Sequence, residues 1–104
     1  MFTDGKSLTA FPLKLVFLRL EHDSPALIQA GVSVSKRNFK SAVDRNRIKR
    51  LMREAYRKNK QIVYGSEDTK KHIFMFIYQG KKEPGYQLVE QKMKELLTKF
   101  LKNQ

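Results

Sequence analysis

Residues 42–57, AVDRNRIKRLMREAYR, constrain the fold more tightly than any other stretch of this chain. Ile48, Leu51, Met52, Ala55 and Tyr56 recur at the i, i+3, i+4, i+7 spacing of one helical face, and Arg45, Asn46, Lys49, Arg50, Arg53 and Arg57 fall on the other. Such a helix must be covered on one side and left in water on the other, so it belongs on the outside of a layered fold. Ser41, with Asp44 three residues on, resembles a capping pair, and the acid complements the positive end of the helix dipole. The helix is therefore predicted to begin at Ala42.

What covers the apolar side is legible in the flanking segments. In residues 12–20, PLKLVFLRL, both alternating sets are apolar, Leu13/Leu15/Phe17 and Val16/Leu18/Leu20, which predicts a strand covered on both faces. Residues 21–25 read as a turn and 26–35 as a second strand, in which Gly31 permits a bulge or a close backbone approach; a hairpin is the natural pairing of the two. Beyond the basic helix, 64–71 is a polar loop and 72–80, HIFMFIYQG, is the most strand-like segment, with Phe74 and Phe76 expected in the core beside Phe17. Residues 86–101 form a second helix with Val89, Met93, Leu96, Leu97 and Phe100 as its inward stripe. The order β-β-α-β-α implies an α+β fold, a small sheet of three to four strands packed with two to three helices, in one domain over residues 1–104.

The charge narrows the function. Of a net +12, residues 36–60 supply nine, with eleven Lys or Arg against Asp44 and Glu54. A helix selected for solubility interleaves Glu with Lys at i,i+4; this one accumulates like charges that repel, so a partner should neutralise them. The partner such a surface attracts most strongly is a polyanion, nucleic acid first and anionic membrane second. A membrane-surface role is disfavoured because the apolar side of the helix is needed for the core. The absence of Cys removes disulfides, thiolate metal sites and thiol nucleophiles together, and suits a reducing cytoplasm. No run approaches the ~18 apolar residues of a membrane span, and the start of the chain does not read as a targeting segment.

The residues Ser33 to Arg37 (SVSKR), then Ala42-Val43, Arg45-Asn46, Ile48-Lys49-Arg50 and Arg53-Glu54, resemble the signature of the bacterial ribonuclease P protein subunit, and the strands and helix around them fall in that family's order. The resemblance implies a protein cofactor to a catalytic RNA that removes the 5′ leader from precursor tRNA. It also implies that the chemistry belongs to the RNA and its Mg²⁺, none held tightly by the protein alone, and that the partners are ribonuclease P RNA and precursor tRNA. On that basis Lys36, Arg37, Arg45, Asn46, Arg47, Lys49, Arg50 and Arg53 are the candidate RNA-binding residues. The Arg forks suit bidentate phosphate contact, and Lys49 is a compact point charge. Asn46 can bridge donors and acceptors among them.

The family also implies a cleft for the single-stranded leader, lined by aromatic rings on an initial helix. Here MFTDG resembles only the tail of that helix, so the usual first helix is largely missing, and Phe2 would match its last aromatic. Lys14 and Val16, or alternatively Leu15 and Phe17, would face the cleft from the strand side; alternation alone leaves the choice open. A cleft without its helical wall would also invite pairing with a second copy of the chain.

Other chemistry has little support. His22 and His72 are the only imidazoles, and Ser, Asp and Glu form no nucleophile elbow, paired-carboxylate or metal-ligand pattern. A DNA-reading basic helix would need leucine heptads, which Lys58, Lys60, Gly65 and the following strand interrupt. The credible competitor is a ribosomal-type or general RNA-binding protein using the same basic face without a catalytic RNA.

Overall fold

The two most apolar strands take the two central places of one four-stranded sheet. The computed structural model describes residues 6–19, 28–64 and 72–102. Its elements are β1 (Lys6–Ala10), β2 (Leu13–Arg19), β3 (Ile28–Val34), α1 (Ala42–Asn59), α2 (Gln61–Tyr64), β4 (His72–Tyr78) and α3 (Tyr86–Lys102), and the strand order is β1-β2-β4-β3. Strands β2 and β4 run antiparallel, with Leu15 opposite Phe76 and Phe17 opposite Phe74. Placing these pairs centrally covers one face of each strand with helices and leaves the more polar β1 and β3 at the edges.

The expected hairpin between residues 12–20 and 26–35 does not form. Strand β1, which the apolar pattern does not reveal because KSLTA is half polar, occupies one edge of β2 through the Phe11-Pro12 turn. Strand β4 occupies the other edge, so β3 pairs with β4 instead, and in parallel, with Val34 opposite Tyr78. A parallel pair needs a long crossover, and α1 lies within it. Gly31 makes no bulge; it stays in register opposite Met75, whose side chain would stand 3.2 Å from a Cβ there.

Among the described residues, the ring contacts run through one side of the sheet. Phe17, Phe74 and Phe100 meet edge-to-face with centroids 4.8–6.4 Å apart, and Tyr56 packs on Phe76 at 5.4 Å. Phe74 and Phe76 are fully buried, and the predicted stripe of α3, Val89, Met93, Leu96, Leu97 and Phe100, is buried throughout. From α1 the sheet receives Ile48, Met52 and Ala55, while Leu51 and Tyr56 pack at its margin. Ser41 stands at the N-cap position with extended backbone, but its hydroxyl makes no capping bond; its carbonyl accepts from Arg45 N at 3.1 Å, and Asp44 faces Arg47 at 3.9 Å. Phe2, His22, the 21–25 turn and most of the 64–71 loop lie outside the described residues.

Candidate nucleic-acid interface

The covered side of α1 fixes what its other side presents. With Ile48, Met52 and Ala55 against the sheet, Asn46, Arg47, Arg50, Arg53 and Arg57 are exposed and Lys49 is half-buried. The five cations among them carry the same charge but have different occupations. Among the described residues, Asn46, Lys49, Arg50 and Arg53 make no side-chain hydrogen bond or ion pair, so their donors face solvent. Over that stretch a helix rises ~1.5 Å per residue, giving an open polar row roughly 10 Å long in which three of the four side chains are cations.

Arg45 is turned differently. Its Nη1 donates to the Phe39 and Lys40 carbonyls at 2.8 and 2.9 Å, which ties the β3–α1 loop to the first turn of the helix. Arg47 donates from Nη1 to Glu83 at 2.6 Å, joining α1 to the β4–α3 loop; that hydrogen bond and the Glu83 charge hold its proton more firmly than usual. Further along, Arg57 pairs with Glu54, whose carboxyl is held below its usual range chiefly by that hydrogen bond, and Lys58 lies 5.3 Å from the Tyr86 ring centroid. The two ends of the basic helix are therefore engaged with the protein, and its middle is open.

Lys36 and Arg37 are exposed in the β3–α1 loop, where Arg37 N donates to Ser35 Oγ at 3.1 Å. Lys14 and Val16 are half-buried and project from the sheet face opposite the helices, while Leu15 and Phe17 point into the core. Of the two pairs, Lys14/Val16 therefore shares the face turned away from the helices and Leu15/Phe17 the face turned toward them. On the same face as Val16, Met75 is exposed, Ile73 and Ile77 are half-buried and Leu18 is buried, an apolar surface with Lys14 beside it. A separate cleft of about 250 Å³ lies between α1 and edge strand β3, lined by Ala30, Gly31, Val32, Arg53, Tyr56 and Phe76. Two features were missed in the sequence: the Lys81-Lys82 pair, exposed in the β4–α3 loop, and Glu83 as the partner of Arg47. A Gly-Lys-Lys run directly after a strand was the available signal for the first; nothing local marks the second.

Fold and surface together define a small, basic α+β protein that turns an open row of cations toward solvent, a surface suited to a polyanion. A model of the family described as Ribonuclease P matches residues 1–101. The chain belongs to the ribonuclease P protein family, components of a tRNA-processing ribonuclease. The ribonuclease P protein component of Porphyromonas gingivalis (strain ATCC 33277) is 32% identical over 105 residues, 99% of this chain and 77% of that protein. That of Chlorobium phaeobacteroides is 36% identical over 110 residues, covering 93% and 75%. Among solved structures, the RNase P protein from Thermotoga maritima superposes with a TM-score of 0.74 at 25% identity, covering 94% of this chain and 86% of that one. The Staphylococcus aureus RNase P protein shares the fold, with a TM-score of 0.70 at 23% identity over 97% and 84%.

Proposed function

We propose that this chain binds ribonuclease P RNA and the leader of precursor tRNA, and assists the RNA in removing that leader. The open row Asn46, Lys49, Arg50 and Arg53 carries the reading, because these groups are held in place by the buried side of α1 and are not spent on partners within the protein. Two RNAs brought together repel through their phosphates, and a row of cations between them lowers that repulsion. Lys36 and Arg37 extend the row at the loop, while Arg45 and Arg47 hold the loops in position. On the opposite face of the sheet, Lys14 and Val16 with the adjoining apolar surface are the described residues that would border the leader. The described residues form no cluster of three or more His, Asp or Glu placed for a metal. The phosphodiester chemistry and its Mg²⁺ are assigned to the RNA. No helix among the described residues is long and apolar enough to cross a membrane.

The test adds the protein to transcribed bacterial ribonuclease P RNA and follows leader removal from precursor tRNA at low Mg²⁺. Stimulation that is lost in Arg50→Ala/Arg53→Ala, with the variant's circular dichroism unchanged, is the expected result. Equal binding to ribosomal RNA without stimulation would instead favour a general RNA-binding protein.

A further inference from the structure

Three loops meet at one end of the sheet. Leu13, Tyr78 and Val34 are aligned across β2, β4 and β3, so the β1–β2 turn, the β4–α3 loop and the β3–α1 loop all leave from that end. They are fastened to one another: Gln79 N donates to Pro12 O at 2.7 Å, and Asn38 Nδ2 donates to Gly80 O at 3.4 Å. The Tyr78 hydroxyl donates to Lys82 O, the Phe39 ring is buried against Tyr78 at 5.9 Å, and Arg45 holds the carbonyls of Phe39 and Lys40. On this pinned backbone, residues 35–41 and 79–85 carry five cations, Lys36, Arg37, Lys40, Lys81 and Lys82, all exposed. The one acid of the two loops, Glu83, is already engaged by Arg47.

At the same end of the sheet, Phe11 is 67% exposed in the β1–β2 turn and stacked on no other ring among the described residues. A single exposed apolar side chain is ordinary on a protein surface. An exposed aromatic ring at the same loop end as several exposed cations on a pinned backbone is a combination that can hold an unpaired nucleotide, the ring taking the base and the cations the flanking phosphates. We propose that this loop end is a second RNA contact, in which Phe11 stacks on an unpaired base in a loop or bulge while Lys36, Arg37, Lys81 and Lys82 neutralise the phosphates on either side. A paired base offers no free face to the ring, so the site selects single-stranded positions within structured RNA. The inference rests on the RNA-binding reading above, and adds to it a contact that α1 does not make.

The chain contains no Trp, so Phe11→Trp places one fluorophore at the site. Titrate it with a labelled RNA hairpin carrying an unpaired loop and with a perfect duplex of equal phosphate count, reading binding by the label's anisotropy and stacking by tryptophan quenching. Both RNAs should bind, and the hairpin alone should quench. Phe11→Ala should weaken hairpin binding about 5- to 150-fold, the range of one lost base stack, and leave duplex binding unchanged. Lys81→Ala/Lys82→Ala should lower the salt slope by about 1.4. Binding without quenching, or equal quenching by the duplex, overturns the loop-end site and leaves the RNA-cofactor reading standing. Failure of the unsubstituted protein to bind either RNA overturns that reading as well. If Phe11→Ala failed to fold, the quenching experiment would decide alone.

Discussion

Arg45, Arg47 and Arg50 sit within six residues of one helix and do three different jobs. The first clamps backbone carbonyls, the second pairs with Glu83, and the third is open to solvent. Residue type and helical spacing made the cationic row visible in the sequence, but they did not separate these roles, because the Arg47 partner lies 36 residues away and reaches it only through the fold. The separation is measurable as salt dependence. Arg50→Ala should reduce the slope of log K against log salt for RNA binding by about 0.7–0.9, one phosphate contact. Arg47→Ala should reduce it by less, since Glu83 already neutralises that charge; an equal drop would show that RNA displaces Glu83. Equilibrium titrations at four or five salt concentrations distinguish the outcomes.

At the level of elements, periodicity located β2, β4, α1 and α3 nearly to the residue and failed on pairing. The reason is physical: alternation says which face of a strand is buried, and nothing about which neighbour fills its edge. KSLTA carries too few apolar residues to announce β1, yet its place beside β2 is what displaces β3 to the far side of β4. Helix α1 shows a smaller discrepancy, since Leu51 belongs to the predicted stripe but packs only at the core margin, whereas Met52 is fully buried. Met52→Ala should therefore cost about 2–5 kcal/mol and Leu51→Ala distinctly less, as read from urea midpoints. The β4–α3 loop has an equally local requirement. A Cβ at Gly80 would collide with the Tyr78 ring and hydroxyl, and Tyr78 is itself buried, whereas at Gly85 it meets nothing within 4 Å. Gly80→Ala should lose about 1–3 kcal/mol through overpacking, and Gly85→Ala should be close to neutral in the same denaturation experiment. Equal effects would mean that Tyr78 moves aside freely and that the loop is not pinned through it.

For the molecule as a whole, the fold sorts its cations into those that hold the protein together and those left for a partner. Arg45, Arg47, Arg57 and Lys58 are occupied by carbonyls, carboxylates or a ring, which leaves Lys36, Arg37, Lys40, Lys49, Arg50 and Arg53 along α1 and the loop before it. The sequence shows the total of +12 and its concentration in residues 36–60, and only the packing shows how much of it is available. If those six contact phosphates, the slope of log K against log salt should be about −4.2 to −5.4, and affinity for RNA should fall roughly 300- to 2,000-fold between 50 and 200 mM salt. Engagement of Lys81 and Lys82 at the loop end would steepen it further, by about 1.4. A slope near −2 would mean that most of the open row never touches RNA and that the charge serves long-range steering instead, which would appear as salt-sensitive association with a salt-insensitive dissociation rate. Stopped-flow association and dissociation at two salt concentrations, measured alongside the equilibrium slope, separate the two arrangements.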